Sequence, residues 1–264
     1  MKRIILLLTA LFCLNGAAFA AIDWQAKGMQ MGGEIISNPA AFFYDFQQDL
    51  EATTPLPPGK TFGLQTGLWG GILPTIGAMP SLSGKFRLLG EGRVAPGVPQ
   101  VDLIGGYWSS PLAESAFKDS ESIENFNFNG YYMGAIVSAS VSPKVRTFWG
   151  YKHSQLKVKA DFLPETNADG TYKTDTDGSY KYPEFMGSEI TGFDTGFKDN
   201  FIIAGIETPK GIGKLWSMQL NYGLKTQTFS SKLSWYGKYF ELGLNIYPEG
   251  VLVIHPVWNF HLNF

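Results

Sequence analysis

Lys214-Leu215-Trp216-Ser217-Met218-Gln219-Leu220-Asn221-Tyr222-Gly223-Leu224-Lys225 places large apolar residues at 216, 218, 220, 222 and 224, with mostly small or polar ones between them. A period of two belongs to a β-strand, and the two faces of this one are built for different surroundings. The pattern returns in Phe240, Leu242, Leu244 and Ile246 against Glu241, Gly243, Asn245 and Tyr247. It returns again in Leu156, Val158, Ala160 and Phe162 against Lys157, Lys159 and Asp161. Strands of a soluble sandwich are typically about five or six residues long. Many runs here are longer and approach the roughly 9–11 residues that cross a hydrocarbon layer, apolar face outward and polar face toward a lumen.

The expected fold is therefore all-β, an antiparallel transmembrane β-barrel of about ten strands, with a short helix before it. The expected strands are Thr61–Ile72, Ser83–Arg93, Pro99–Ser109, Phe126–Val141, Lys144–Phe162, Thr195–Thr208, Lys214–Thr226, Phe229–Tyr236, Lys238–Tyr247 and Val251–Phe264. The even count depends on splitting Phe229–Tyr247 at Gly237, and eight or twelve strands stay open. The polar stretches Ser110–Asn125 and Leu163–Asp194 read as long loops at one end. Ala95–Val98, Ser142–Pro143 and Pro209–Gly213 read as short turns at the other.

Outside the strands, residues 1–20 read as a cleavable signal peptide: Lys2 and Arg3, an apolar centre from Ile4 to Phe12, and Ala18-Phe19-Ala20 before the cut. The only cysteine, Cys13, falls in this leader, so residues 21–264 offer no disulfide or thiolate chemistry. Losing the leader's two cations leaves 19 basic residues against 23 acidic ones, with no basic stripe for nucleic acid. Residues 21–60 form an N-terminal periplasmic or plug-like segment. Asn38 can cap a helix whose first position is Pro39 and whose Phe42, Phe43, Phe46 and Leu50 recur at helical spacing. A helix closing one end of the fold is preferred there to a plug. Thr53–Gly59, with prolines at 55, 57 and 58, reads as a stiff linker.

The last residues, Val257-Trp258-Asn259-Phe260-His261-Leu262-Asn263-Phe264, put Trp258, Phe260, Leu262 and Phe264 on one face. This resembles the terminal strand of bacterial outer-membrane β-barrel proteins. The resemblance implies recognition by the barrel assembly machinery, residence in the outer membrane and contact with its lipid. Trp69, Trp108, Trp216 and Trp235 fall near strand ends, where an aromatic girdle belongs. Ser37-Asn38-Pro39-Ala40-Ala41 resembles a segment of the long-chain fatty-acid transporter family, in which a plug-like region precedes the strands. Those barrels have more strands than the residues after Lys60 can supply, and the helix cap is the preferred explanation.

Among candidate sites, the inward face should carry Gln65, Lys85, Arg87, Asp102, Arg146, Lys152, Gln219, Asn221, Glu241 and Asn245, a lumen for a small solute. In a barrel of this size side chains nearly fill the interior, so charge pairing is expected there and a wide channel is not. His153 beside Ser154 is the nearest hint of a hydrolase, but neighbouring strand residues face opposite ways, so no catalytic residue is assigned. Asp169-Gly170-Thr171-Tyr172-Lys173 and Asp177-Gly178-Ser179-Tyr180-Lys181 read as two tight turns. The alternative, a calcium loop beginning at Glu165, Asn167 and Asp169, reaches Thr176 where a bidentate glutamate is needed. No cofactor or metal is expected. The functional expectation is a non-enzymatic, porin-like surface or structural barrel, or a narrow passage for small solutes. An outer-membrane barrel enzyme and a soluble exported β-sandwich are the alternatives.

Overall fold

Alternation carries directly into the architecture. A computed structural model describes residues 39–67, 81–109, 123–185, 188–209, 215–250 and 253–264, together with Ala26. Helix α1 (Pro39–Leu50) precedes β1 (Phe62–Gly67), β2 (Ser81–Leu89), β3 (Gln100–Ser109), β4 (Ile123–Ser142), β5 (Val145–Phe162), β8 (Gly192–Pro209), β9 (Leu215–Gly223), β10 (Phe229–Tyr236), β11 (Phe240–Ile246) and β12 (Ile254–Asn263). These ten strands form one closed antiparallel barrel, each paired with its chain neighbours, and β1 on β12 closes the seam from Gly63↔Asn263 to Gly67↔Asn259. A two-residue hairpin, β6 (Glu184–Phe185) with β7 (Ser188–Glu189), sits in the connection between β5 and β8. The Gly237 amide donates to the Phe240 carbonyl at 2.8 Å, which turns the chain between β10 and β11 and brings the count to ten.

The barrel is apolar outside and polar inside, the reverse of a soluble core. Leu82, Phe86, Leu103, Tyr107, Met133, Trp149, Ile202, Leu242, Leu244, Trp258 and Phe260 are all exposed on the outer face. Their strand neighbours Ser83, Lys85, Asp102, Lys152, Glu241, Asn245, Asn259 and His261 are buried. Trp108 departs from the girdle expectation. It faces inward and is 2% exposed, edge-on to Phe128 at 4.7 Å, because Tyr107 takes the outward position at that level. Trp216 and Trp235 sit opposite one another on β9 and β10, and Trp69 lies outside the described residues.

The wall is uneven in height. β5 has 18 residues and β11 only seven. At about 3.4 Å per residue, β5 runs roughly 60 Å along its own axis, twice a hydrocarbon thickness of about 30 Å. Along its outer face the chemistry changes at His153: Trp149 and Tyr151 below it are exposed aromatics, whereas Gln155, Lys157, Lys159 and Asp161 follow above. On the extension formed by β4, β5 and β8 the inner face is the apolar one, with Phe128, Leu156, Val158 and Phe201 buried beside Trp108.

Between β5 and β8 the two Asp-Gly units fold alike. Gly170 and Gly178 take φ of 84° and 88°, which tight turns need and glycine adopts without steric cost. Each preceding aspartate accepts from the amide and hydroxyl two residues on, Thr171 and Ser179 respectively. Backbone bonds from Lys173 to Glu165, from Lys181 to Lys173 and from Glu165 to Lys181 then link three positions spaced by eight residues into a ring. The Asp169 carboxylate is thus engaged by Thr171, and the described residues bring together no cluster of metal-ligating side chains.

Candidate functional site

The lumen holds the segment before β1. Tyr44, Phe46, Gln47, Asp49, Leu50, Glu51, Ala52, Thr53, Thr54 and Leu56 are all buried, none above 3% exposed. Tyr44 lies level with Ser154 and Phe201, toward the long-loop end, and Leu56 level with Arg87 and Arg146, toward the short-turn end. The chain therefore runs the length of the lumen and then turns into β1, with the Lys60 amide on the Pro57 carbonyl. Thr53–Pro57 is no free spacer but a bound part of this plug. Of α1, Phe46 and Leu50 are buried as their spacing suggests; Asn38 and the side chains of Phe42 and Phe43 lie outside the described residues.

Polar contacts fix α1 against two distant parts of the wall. On β11 and β12, and at Tyr247 just after β11, Asp49 receives Asn245, with Tyr247 OH at 2.9 Å and His255 Nδ1 at 2.7 Å, while Asn259 donates to its carbonyl at 3.0 Å. His255 is stacked on Phe46 at 4.6 Å between ring centres. On β5, Glu51 pairs with Lys152 and accepts from Ser154 Oγ at 2.6 Å, and Gln47 donates to the same hydroxyl at 2.8 Å. Both partners of the Glu51–Lys152 pair are 1% exposed, a setting in which an unpaired charge would be heavily penalised.

Below the helix the plug is held by its backbone. Lys85 Nζ donates to the Thr54 carbonyl at 2.6 Å; Arg87, Gln100 and Arg146 all donate to the Leu56 carbonyl, and Asp102 accepts from the Leu56 amide at 2.8 Å. Tyr132 OH accepts from the Ala52 amide at 2.8 Å, and Thr53 exchanges a hydrogen bond with Gln219. An extended segment inside a barrel has no ladder for its own amides and carbonyls, and the wall supplies those partners instead.

The structure places all ten named lumen residues in the interior, Lys85 and Lys152 among them. Arg87, Asp102, Arg146, Gln219 and Asn245 touch the plug as described. Asn221 lies beside Gln219 and donates to Ser230 at 3.2 Å, and Gln65 is buried on β1. Glu241 accepts from Lys232, Ser234, Tyr236 and Asn259, forming a wall-to-wall network. Arg146 also pairs with Glu207, which the sequence reading had not named. His153 and Ser154 face opposite ways: His153 meets Asn200 outside at 2.9 Å, and Ser154 meets the plug. Sequence reasoning missed the plug contacts of Ser154, Tyr132, Gln100 and His255. One signal was present: Tyr44–Pro57 contains Asp45, Asp49 and Glu51 with no Lys or Arg, and the inward positions of the strands are rich in cations.

Together these features define a closed ten-strand barrel with an internal plug made by its own N-terminal region. Comparison of the chain with protein-family models, with curated proteins and with solved structures gives no match.

Proposed function

We propose that this chain is an integral outer-membrane protein, exported through the leader at residues 1–20 and folded by the barrel assembly machinery. We further propose that it serves as a narrow solute passage that its plug holds shut, and not as an enzyme. The observation that carries the membrane reading is the inverted polarity of the wall. A band of exposed Leu, Ile, Phe and Trp over a charged interior is costly in water and favourable in lipid, and closure leaves no unpaired strand edge. The alternating outward set Trp258, Phe260, Leu262 and Phe264 agrees with it. The passage reading rests on what fills the lumen. A barrel that only needs a packed interior can use wall side chains. Here a separate polar segment is held largely by hydrogen bonds and ion pairs, contacts that can be exchanged for water.

Fractionation of the expressed protein, followed by gels of boiled and unboiled samples, tests the membrane reading. Recovery in the outer membrane with a heat-dependent change of mobility is expected. Recovery as a soluble periplasmic protein without such a change would overturn it.

A further inference from the structure

The hydrogen bonds between plug and wall run mostly one way. Lys85, Arg87, Gln100, Arg146, Lys152, Ser154, Asn245, Tyr247 and Asn259 donate, and oxygens of Asp49, Glu51, Thr54, Leu56 and Pro57 accept. Charges are divided in the same sense. The described inward wall carries Lys85, Arg87, Arg146, Lys152 and Lys232 against Asp102, Glu207, Glu241 and Asp199; Asp199 lies across from Ser154 in the β5–β8 register, its carboxylate tied to the Lys225 and Thr226 amides. The plug from Tyr44 to Pro57 brings acids and no base. Glu51 is the only carboxylate paired with Lys152 among the described residues, so moving the plug leaves that ammonium and its neighbour Ser154 facing the lumen.

We propose that the lumen wall is a carboxylate-binding surface which the plug fills with its own Asp49 and Glu51. When the plug is displaced, the wall passes small carboxylates and other anions in preference to cations. This rests on the passage reading above. Lys152 with Ser154 on one side, and Asn245, Tyr247 and His255 on the other, are the two stations at which a solute carboxylate takes the place of a plug carboxylate. Charge lining a narrow constriction governs which ion enters, because the solute must exchange hydration for the wall's own groups.

The test uses the full chain, wild type and Glu51→Gln, in planar bilayers under a potassium chloride gradient. Heat-dependent gel mobility establishes beforehand that both are folded barrels, so the membrane reading is judged separately from this one. Openings more frequent in Glu51→Gln, with a reversal potential showing chloride preferred several-fold over potassium and with block by added succinate, are expected. Lys152→Gln should reduce both the preference and the block. Unselective or cation-preferring openings, openings indifferent to succinate, or folded barrels that never conduct would each overturn the proposal.

Discussion

Gly67 of β1 lies so close to Leu50 of α1 that a Cβ at position 67 would collide with the Leu50 side chain, and with Asn259 on the other side. Gly63, four residues earlier on the same inward face, meets Leu56 in the same manner, and Gly130 on β4 meets Gln47. The barrel wall is hollowed where the plug passes. Gly67→Ala should therefore loosen the plug at a cost of about 1–3 kcal/mol, the usual scale of overpacking. Because Cys13 is the only cysteine in the sequence, Thr53→Cys adds a single thiol to residues 21–264. Labelling of that thiol in the folded barrel should be slow in the parent and faster with Gly67→Ala; equal rates would show that the contact does not hold the plug.

The Glu51–Lys152 pair should behave as a buried ion pair and not as a surface one. Lys152→Met alone strands a carboxylate and is expected to lower stability by about 3–5 kcal/mol, while Lys152→Met with Glu51→Leu should recover much of that loss. Urea unfolding in lipid vesicles measures both. A double variant as unstable as the single one would assign the loss to packing.

Leu244 faces outward on β11 between Leu233 and Pro256, one outward position further from the turn than Leu242 and Trp235. In a membrane barrel Leu244→Arg should cost about 2–4 kcal/mol, the penalty for a cation near the bilayer midplane. In a water-soluble protein the same change at an exposed site would be nearly neutral. Refolding yield into vesicles compared with the parent separates the two outcomes.

Acid should undo the twin turns. Lys173 beside Glu165, with Nζ 2.9 Å from the carboxylate, holds that carboxyl below its ordinary range, and Thr171 and Ser179 do the same for Asp169 and Asp177 through hydroxyl and amide donors. A carboxylate held low in the folded chain contributes order at pH above its unfolded value and loses it as pH falls through the folded one. The turns are thus intact at neutral pH and open on acidification. Lys173→Met should shift the Glu165-linked part of that opening to higher pH. Amide exchange at Thr171 and Ser179 across an acid titration reports it, and profiles identical in parent and variant would count against the pairing.

Much of the barrel was legible because the outer and inner faces of its wall take opposite residues at alternate positions, so Trp216, Met218 and Leu220 against Ser217, Gln219 and Asn221 define both a strand and its orientation. The plug was less legible. The period of α1 marks a helix with one apolar stripe, but burial of Gln47 and Asp49 on its other faces, and of Glu51 just after it, depends on partners more than a hundred residues away, such as Lys152 and Asn245. The prolines at 55, 57 and 58 suit a free spacer as well as an extended chain in a lumen. What separates the two is Lys85, Arg87 and Arg146 reaching their carbonyls, a long-range fact. Trp108 misled because nearness to a strand end does not say which face a side chain takes, and Trp108 shares the inward parity of Asp102.

Only residues 58–61 separate the plug from β1, the strand that must meet β12 to close the seam. A finished barrel could receive its plug only if the chain preceding Pro57 were threaded up the lumen from the short-turn end. The economical order of events is closure around a segment already in position, with Gly63 and Gly67 of the closing strand seated on Leu56 and Leu50. In that order the plug acts as a mandrel during assembly, and damage to it would first be felt as slow or incomplete maturation of the barrel, before any question of transport arises.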